Sequence, residues 1–141
     1  SDTPAEKNDH YTFVRKAAGH VLINGLGIGM CLNAVLKKDG VTKVTVVEID
    51  ADVIRLVGPN YSSDERVEII HSSAFDYRPP KGIRYVAVWH DIWDSICEDN
   101  LPEMATLHRK YGRRADWQGS WCKELILYQR QRDKNAWWRR K

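Results

Sequence analysis

The sequence predicts an α/β protein with a Rossmann-like, doubly wound and mainly parallel sheet. Three observations favour this class: apolar runs alternate with segments of helical periodicity, the runs are apolar at consecutive positions, and the first run ends at a glycine-rich turn. Continuously apolar strands are typical of parallel sheets that helices cover on both faces. In such sheets the ligand lies outside the carboxyl ends of the strands.

The first 94 residues contain the alternating elements on which this prediction depends. β-Branched residues and consecutive apolar positions indicate strands, whereas apolar residues at a spacing of three or four indicate helices. Gly19 and the pair Asp39-Gly40 are typical of helix ends. In chain order we predict a helix over 9–18, a strand over 21–23, a helix over 30–38, a strand over 43–49, a helix over 51–57, and strands over 67–70 and 85–89.

The pattern after residue 94 is helical. Asn100 and Ser120 are favourable N-caps, and they predict helices over 101–111 and 121–132. No convincing further strand follows, so we expect a small, truncated sheet, shortened after its fourth strand, with a helical C-terminal end.

The length of 141 residues predicts a single domain. Within it we expect a nucleoside-binding core over 9–112 and a basic, Trp-rich helical extension over 113–141. Residues 101–141 contain 11 Lys and Arg against 4 Asp and Glu, a net charge of +7, whereas residues 1–100 have a net charge of −4. Five of the six tryptophans also lie at or after position 93.

This basic, aromatic end has three interpretations. Basic grooves with stacking aromatic side chains suit nucleic acid. The same residues also fit a solvated helix face beside tryptophans that complete a small core. The paired Trp137-Trp138 could instead be buried against a second copy, because the exposed edge of a short sheet needs cover, so a homodimer is a further hypothesis.

The three cysteines are far apart in the sequence. Cys31, Cys97 and Cys122 form no Cys-x-x-Cys pair, which argues against a disulfide framework and offers too few clustered ligands for a zinc site. We therefore expect no metal and reduced thiols in a cytoplasmic protein. No apolar run reaches the length of a membrane span, so no membrane partner is expected.

The glycine-rich turn Gly25-Leu26-Gly27-Ile28-Gly29 follows a predicted strand and precedes a helix. Glycines there let a ligand approach bare backbone at a positive helix N-terminus, although a turn that only packs is an alternative. The dinucleotide fingerprint is Gly-x-Gly-x-x-Gly, but position 30 is Met, which points away from a pyrophosphate ligand.

Glu48 ends the second predicted strand, 19 residues after Gly29. A carboxylate at this place accepts hydrogen bonds from both hydroxyls of a ribose in nucleotide-binding folds. A solvated strand-end acid is the alternative. The order of strand, glycine turn, helix, strand and acid favours a nucleoside ligand.

These segments resemble a known fold. Residues 21–29 followed by 46–50 look like the class I S-adenosylmethionine-dependent methyltransferase fold, with the spermidine synthase-like branch most similar. That branch has Asp-Ala-Phe after its third strand, where this chain has Ser73-Ala74-Phe75. It also has Asp-x-x-Asp after its fourth strand, which Asp91-Ile92-Trp93-Asp94 matches. The resemblance covers roughly residues 9–112.

The resemblance implies which residues bind the cofactor. The three glycines would face the methionine part of S-adenosylmethionine, Glu48 would bind the ribose, and Ile49 or Asp50 would lie at the edge of the adenine. Decarboxylated S-adenosylmethionine or methylthioadenosine would fit the same site. The full set of candidate cofactor-binding residues is Gly25, Gly27, Gly29, Glu48, Ile49, Asp50, Ser73, Ala74, Asp76 and Asp91.

The resemblance also implies candidate catalytic residues, Asp91 and Asp94. Asp91 would lie beside the sulfonium, where the family uses an Asp to bind or deprotonate an amine. Ser73 departs from the family because an adenine-contacting Asp belongs there, and Asp76 is a secondary candidate for that contact. The family's N-terminal β-domain is not found in this sequence, so its polyamine pocket cannot be carried over.

Two further residues near the predicted site, His90 and Cys31, could have a structural role only. His90 could face the site or belong to the core, since alternate strand residues face opposite sides. Cys31 follows the glycine turn, where a helix N-terminus lowers a thiol pKa, but no base is evident and we expect it to pack.

The functional expectation is an S-adenosylmethionine-binding, methyltransferase-like protein that transfers a methyl group to an unidentified acceptor. A non-catalytic module that binds nucleosides, nucleic acid or a protein on the same fold is the alternative. A third hypothesis, aminopropyl transfer, rests on the Asp91 and Asp94 match alone.

Overall fold

The structure, a computed structural model, describes residues 4–139. The chain has five strands, and helices lie between successive strands except between the third and the fourth. The elements are α1 (Pro4–Lys16), β1 (Gly19–Asn24), α2 (Met30–Leu36), β2 (Val41–Glu48), α3 (Ala51–Val57), a 3-10 turn (Gly58–Tyr61), β3 (Val67–His71), β4 (Tyr85–His90), α4 (Asn100–Tyr111), β5 (Ala115–Ser120) and α5 (Lys123–Arg139). The predicted α/β, Rossmann-like class is confirmed.

The strands form one sheet in the order β3-β2-β1-β4-β5, and every neighbouring pair is parallel. The chain runs from β1 outward through β2 to β3 and then returns to β4 on the other side of β1. The carboxyl ends of β1 and β4 therefore mark the point where the strand order reverses, which is where open α/β sheets bind ligands.

Alternate residues of β1 contribute to two cores on opposite faces of the sheet. Val21 and Ile23 pack in a cluster with residues of α1 and α2, whereas Leu22 packs with Tyr85 and Tyr111. All of these side chains are buried. Helices thus cover both faces, as the continuously apolar strands predicted.

The fifth strand corrects the prediction that the sheet is shortened after its fourth strand. β5 pairs with β4 over its whole length, from Ala115 beside Tyr85 to Ser120 beside His90. Its sequence Ala-Asp-Trp-Gln-Gly-Ser contains residues that are depleted in strands and has no continuous apolar run. The parallel pairing to a buried neighbour overrides this local preference.

The C-terminal helix also begins later than predicted. Ser120 is the last residue of β5 rather than an N-cap, and α5 begins at Lys123. The intervening Cys122 has a φ of 56°, which turns the chain from the strand into the helix.

Helix α1 is fastened to the sheet by Lys38. The Lys38 ammonium donates hydrogen bonds to the carbonyl oxygens of Val14, Arg15 and Ala17, at 2.6, 3.1 and 2.6 Å. Three carbonyls at the end of a helix are satisfied by one cation, which also complements the negative end of the helix dipole. This contact joins the C-terminal end of α1 to the turn between α2 and β2.

Over residues 4–139, no helix is both long enough and apolar enough to cross a membrane.

Candidate functional site

A cleft of about 520 Å³ lies at the carboxyl ends of β1, β2, β3 and β4. This volume is within the usual range for small-molecule sites. Residues from four separate segments line it: Gly25, Gly27, Val47, Glu48, Ile49, Asp50, Val53, Ser73, Ala74, Phe75, Asp91, Ile92, Trp93 and Asp94. Most of the residues that the sequence predicted as cofactor-binding therefore meet in one cleft.

Each glycine of the turn has a positive φ, but only two of them line the cleft. Gly25 has a φ of 105°, and a Cβ at this position would overlap the carbonyl oxygen of Asp91. Gly27 has a φ of 51° and faces open space in the cleft wall. Gly29 is instead a packing position, since a Cβ there would overlap the hydroxyl of Tyr61.

Glu48 connects β2 to the glycine turn. Its Oε1 accepts a hydrogen bond from the backbone N–H of Leu26 at 2.8 Å, and its Oε2 accepts one from the backbone N–H of Asp50 at 3.0 Å. Because each carboxylate oxygen can accept more than one hydrogen bond, acceptor capacity remains for a ligand in the cleft.

The two residues after Glu48 have different roles. Asp50 caps α3, because its Oδ1 accepts hydrogen bonds from the backbone N–H groups of Asp52 and Val53 at 2.8 and 3.4 Å. Ile49 is 67% exposed although it is a large apolar residue. An exposed apolar side chain in the cleft wall offers a surface for a flat, apolar ligand face.

The segment after β3 contributes the opposite wall of the cleft. Ser73 and Ala74 line it, whereas Asp76 does not. The Ser73 hydroxyl accepts a hydrogen bond from the backbone N–H of Phe75 at 3.1 Å. Lys110 of α4 donates hydrogen bonds to the carbonyl oxygens of Ala74 and Phe75, at 3.1 and 2.7 Å, so α4 holds this segment in place.

Both candidate catalytic aspartates lie in the cleft. The backbone N–H of Asp91 donates to the carbonyl oxygen of Asn24 at 2.8 Å, which continues the pairing of β4 with β1. Asp94 lies beyond Trp93, whose indole N–H donates to Glu103 at 3.2 Å and fastens this loop to α4.

The cleft is strongly acidic. Its lining includes the carboxylates of Glu48, Asp50, Asp91 and Asp94, and no Lys or Arg is among the described residues that line it. Such a wall attracts a cation and repels a phosphate group. The electrostatics thus agree with the glycine spacing in disfavouring a pyrophosphate ligand.

A second cleft of about 310 Å³ adjoins the first and shares Gly25, Gly27, Asp91, Trp93 and Asp94 with it. Its other lining residues come from distant parts of the chain and include His10 of α1, Cys31 of α2 and Trp121 after β5. Sequence reasoning did not place His10 or Trp121 near the site, because nothing in local spacing indicates which helix packs against the end of β4.

Cys31 is a buried, protonated thiol in this second cleft. Burial, together with the nearby Asp91 carboxylate, raises the pKa of Cys31 to about 12, and the nearby Trp89 indole opposes this only in part. The helix-terminus effect that lowers thiol pKa values is therefore outweighed, which agrees with the expectation that Cys31 packs rather than reacts.

His90 belongs to a buried polar chain and does not line the cleft. Its Nδ1 pairs with the Asn24 amide nitrogen at 2.9 Å and its Nε2 with the Gln118 Oε1 at 3.0 Å. Because the Asn24 amide donates to Nδ1, the proton of the neutral ring is on Nε2. Burial lowers the pKa of His90 to about 3, so a structural role fits it best.

Known families and solved structures resemble this chain over most of its length. A family model described as the spermine/spermidine synthase domain matches residues 9–114. The solved 23S rRNA methyltransferase ErmE has a TM-score of 0.60 and 16% identity, over 82% of this chain and 43% of its own. The N-methyltransferase NodS from Bradyrhizobium japonicum WM9 has a TM-score of 0.60 and 12% identity, over 81% and 64%.

A dimethyladenosine transferase from Plasmodium falciparum has a TM-score of 0.52 and 18% identity, over 74% of this chain and 38% of its own. The chain thus spans between 38% and 64% of the length of these three structures. No curated protein matches the sequence. At these identities the structures show the fold alone, which is the class I methyltransferase fold.

Proposed function

Because the chain belongs to the spermine/spermidine synthase domain family, we propose that its acidic cleft binds S-adenosylmethionine and that the protein transfers the methyl group to an acceptor. The observation that carries this proposal is the charge of the cleft. Four carboxylates line it, and no cation is among its described lining residues. The sulfonium and ammonium groups of S-adenosylmethionine are the kind of ligand charge that such a wall favours.

The proposed pose follows the chemistry of each wall. The ribose hydroxyls would donate to Glu48, whose oxygens already accept from the backbone. The adenine would lie against Ile49 and the Ser73-Ala74 segment, while the methionine part would pass over the bare backbone at Gly25 and Gly27. Gly29 and Asp76 lie outside the cleft lining, so this proposal gives them no contact with the cofactor.

Asp91 and Asp94 would receive the acceptor. Asp91 lines both clefts, so an acceptor in the second cleft would meet the sulfonium in the first. A carboxylate there can orient an amine or accept its proton. Holding the nucleophile in line with the methyl group is the larger part of the task, because methyl transfer depends mainly on proximity.

Calorimetric titration tests the cofactor assignment. We expect binding of S-adenosylmethionine, its decarboxylated form or methylthioadenosine, and no binding of a dinucleotide that contains a pyrophosphate. The ranking of the three ligands identifies the form that the site prefers. A higher affinity for the dinucleotide than for all three would overturn the proposal. Mass spectrometry of polyamine products tests the third hypothesis, aminopropyl transfer.

A second candidate function is binding of nucleic acid through α5. The exposed part of α5 covers residues 130–135 and 137. It includes Arg130, Arg132 and Lys134, together with Trp137, which is 53% exposed. Trp117 and Trp121 instead pack against the core. Residues 140 and 141 of the predicted basic extension lie outside the described residues, as do the side chains at 138 and 139. A gel shift that weakens steeply with salt would support this candidate, and salt-independent behaviour would count against it.

The edge of the sheet and the cysteines bear on the oligomeric state and the cellular location. We propose a single domain that forms a homodimer, because β5 lies at one edge of the sheet and edge strands pair readily with other chains. Sedimentation would show the oligomeric state. Cys31, Cys97 and Cys122 form no disulfide with one another, in keeping with the reducing cytoplasm that we propose as the location.

A further inference from the structure

We propose that His10, Cys31 and Asp91 form a binding site for a divalent metal ion of the zinc type. The three residues come from α1, from the first turn of α2 and from the residue that follows β4. One ligand atom from each side chain lies within 4.8 Å of the other two. This inference does not depend on the proposed binding of S-adenosylmethionine, although Asp91 belongs to both.

The distances are close to those of a coordinated ion. His10 Nε2 and Asp91 Oδ2 are 4.0 Å apart. With zinc bonds of about 2.0–2.3 Å in tetrahedral geometry, neighbouring ligand atoms are roughly 3.3–3.8 Å apart. The three atoms, which lie within 4.8 Å of one another, therefore need to approach by at most roughly 1.5 Å, which side-chain rotations can supply.

The ligand types favour zinc over the hard cations. A thiolate, an imidazole and a carboxylate are all zinc ligands, whereas magnesium and calcium prefer shells made of oxygen atoms alone. When the sulfur–metal bond forms, the thiol proton of Cys31 leaves to solvent. The cation also relieves the unfavourable approach of a carboxylate to that sulfur.

Trp89 supports the site from behind. The His10 ring packs edge-on against the Trp89 indole, with ring centroids 5.5 Å apart, which fixes the orientation of the imidazole. Groups that orient metal ligands are characteristic of protein metal sites.

The site is open on one side. The side chains of His10 and Asp91 are 26% and 31% exposed, and both line the second cleft with Cys31. Three protein ligands with an open fourth position are typical of zinc sites that bind a substrate or water. An ion there would face the second cleft, and it would lower the pKa of a water, thiol or hydroxyl bound to it.

Cobalt substitution tests the site on the full chain, kept metal-free and reduced before titration. We expect one Co²⁺ per chain, with the intense visible bands of tetrahedral coordination and a sulfur-to-cobalt charge-transfer band. Zn²⁺ should displace the cobalt. Cys31→Ser should remove the charge-transfer band, and both Cys31→Ser and His10→Ala should weaken Zn²⁺ binding by about 10–100-fold or more.

Cys97→Ser is the matched control, because Cys97 is an exposed thiol outside the cluster. It should leave the spectrum and affinity unchanged. If Cys31→Ser fails to fold, His10→Ala alone decides the matter. Stoichiometric binding that both cluster variants leave intact would overturn the proposal, as would the absence of binding. Titration of the metal-free chain with S-adenosylmethionine separates this failure from a failure of the proposed function.

Discussion

Glu48 accepts a 2.8 Å hydrogen bond from the backbone N–H of Leu26, in the middle of the glycine turn. The end of β2 therefore fixes the loop that follows β1. The same carboxylate holds the backbone N–H of Asp50 and lines the cleft. One side chain thus shapes the cleft and is also the residue that we propose contacts the ribose.

Two glycines of the turn are needed for different reasons. Gly25 has no room for a side chain, whereas Gly27 has room but lines the cleft. Gly25→Ala should lower the free energy of unfolding by about 2–5 kcal/mol, because the new Cβ overlaps the Asp91 carbonyl at a positive φ. Gly27→Ala meets no neighbour and should cost about 1–2 kcal/mol for its backbone conformation. Chemical denaturation measures both values.

Gly27→Ala should still weaken S-adenosylmethionine binding, since its methyl group enters the cleft wall. Equal destabilisation by the two substitutions, with no effect of Gly27→Ala on binding, would contradict this account of the turn.

The hydrogen bonds from Lys38 to the end of α1 give a second prediction, which concerns the free energy of unfolding. Lys38→Met keeps much of the apolar stem but removes the ammonium that donates to the carbonyl oxygens of Val14, Arg15 and Ala17 at the end of α1. We expect the free energy of unfolding to fall by about 1–3 kcal/mol. Lys37→Met, at the exposed neighbouring position, is the control and should change stability by less than about 0.5 kcal/mol. Similar effects of the two variants would argue against the fastening.

The buried His90 and the half-buried His108 predict how the free energy of unfolding depends on pH. Burial is the main cause that lowers the pKa of His90 to about 3 and of His108 to about 4, from 6.5. The unfolded chain therefore binds more protons than the native chain below pH 6.5. The stability that these residues contribute is fully present above pH 6.5 and is lost as the pH falls toward those lower values.

His108→Gln removes the proton that His108 takes up when the chain unfolds in this pH range. It should reduce the slope of unfolding free energy against pH by up to about 1.4 kcal/mol per pH unit between pH 6 and 4.5. Denaturation at several pH values measures this slope. An unchanged slope would mean that His108 is protonated equally in both states.

The sequence predicted the first four strands and the cleft at their ends because their signals are local. Apolar runs, a glycine turn and a strand-end acid stand in order along 94 residues. β5 was missed because its residues have weak strand preference and gain their stability from the pairing with β4. His10 and Trp121 were missed because no local pattern indicates their position. Only the packing of α1 and of the turn after β5 brings them near Asp91.

The account depends most on Glu48, and calorimetric titration with S-adenosylmethionine tests it most directly. Wild-type protein should bind, and Glu48→Ala should bind about 100-fold or more weakly, because two hydrogen bonds to a charged acceptor are lost. Glu48→Gln retains an oxygen for the Leu26 N–H, so its effect reports the ligand contact with less disturbance of the loop. Glu68→Ala is the control, since Glu68 is a half-exposed strand acid that pairs with Lys43 at 3.7 Å.

We predict that Glu68→Ala binds like wild type while both Glu48 variants are weakened. Wild-type affinity in Glu48→Ala, or no binding by the unmodified chain, would contradict the central claim.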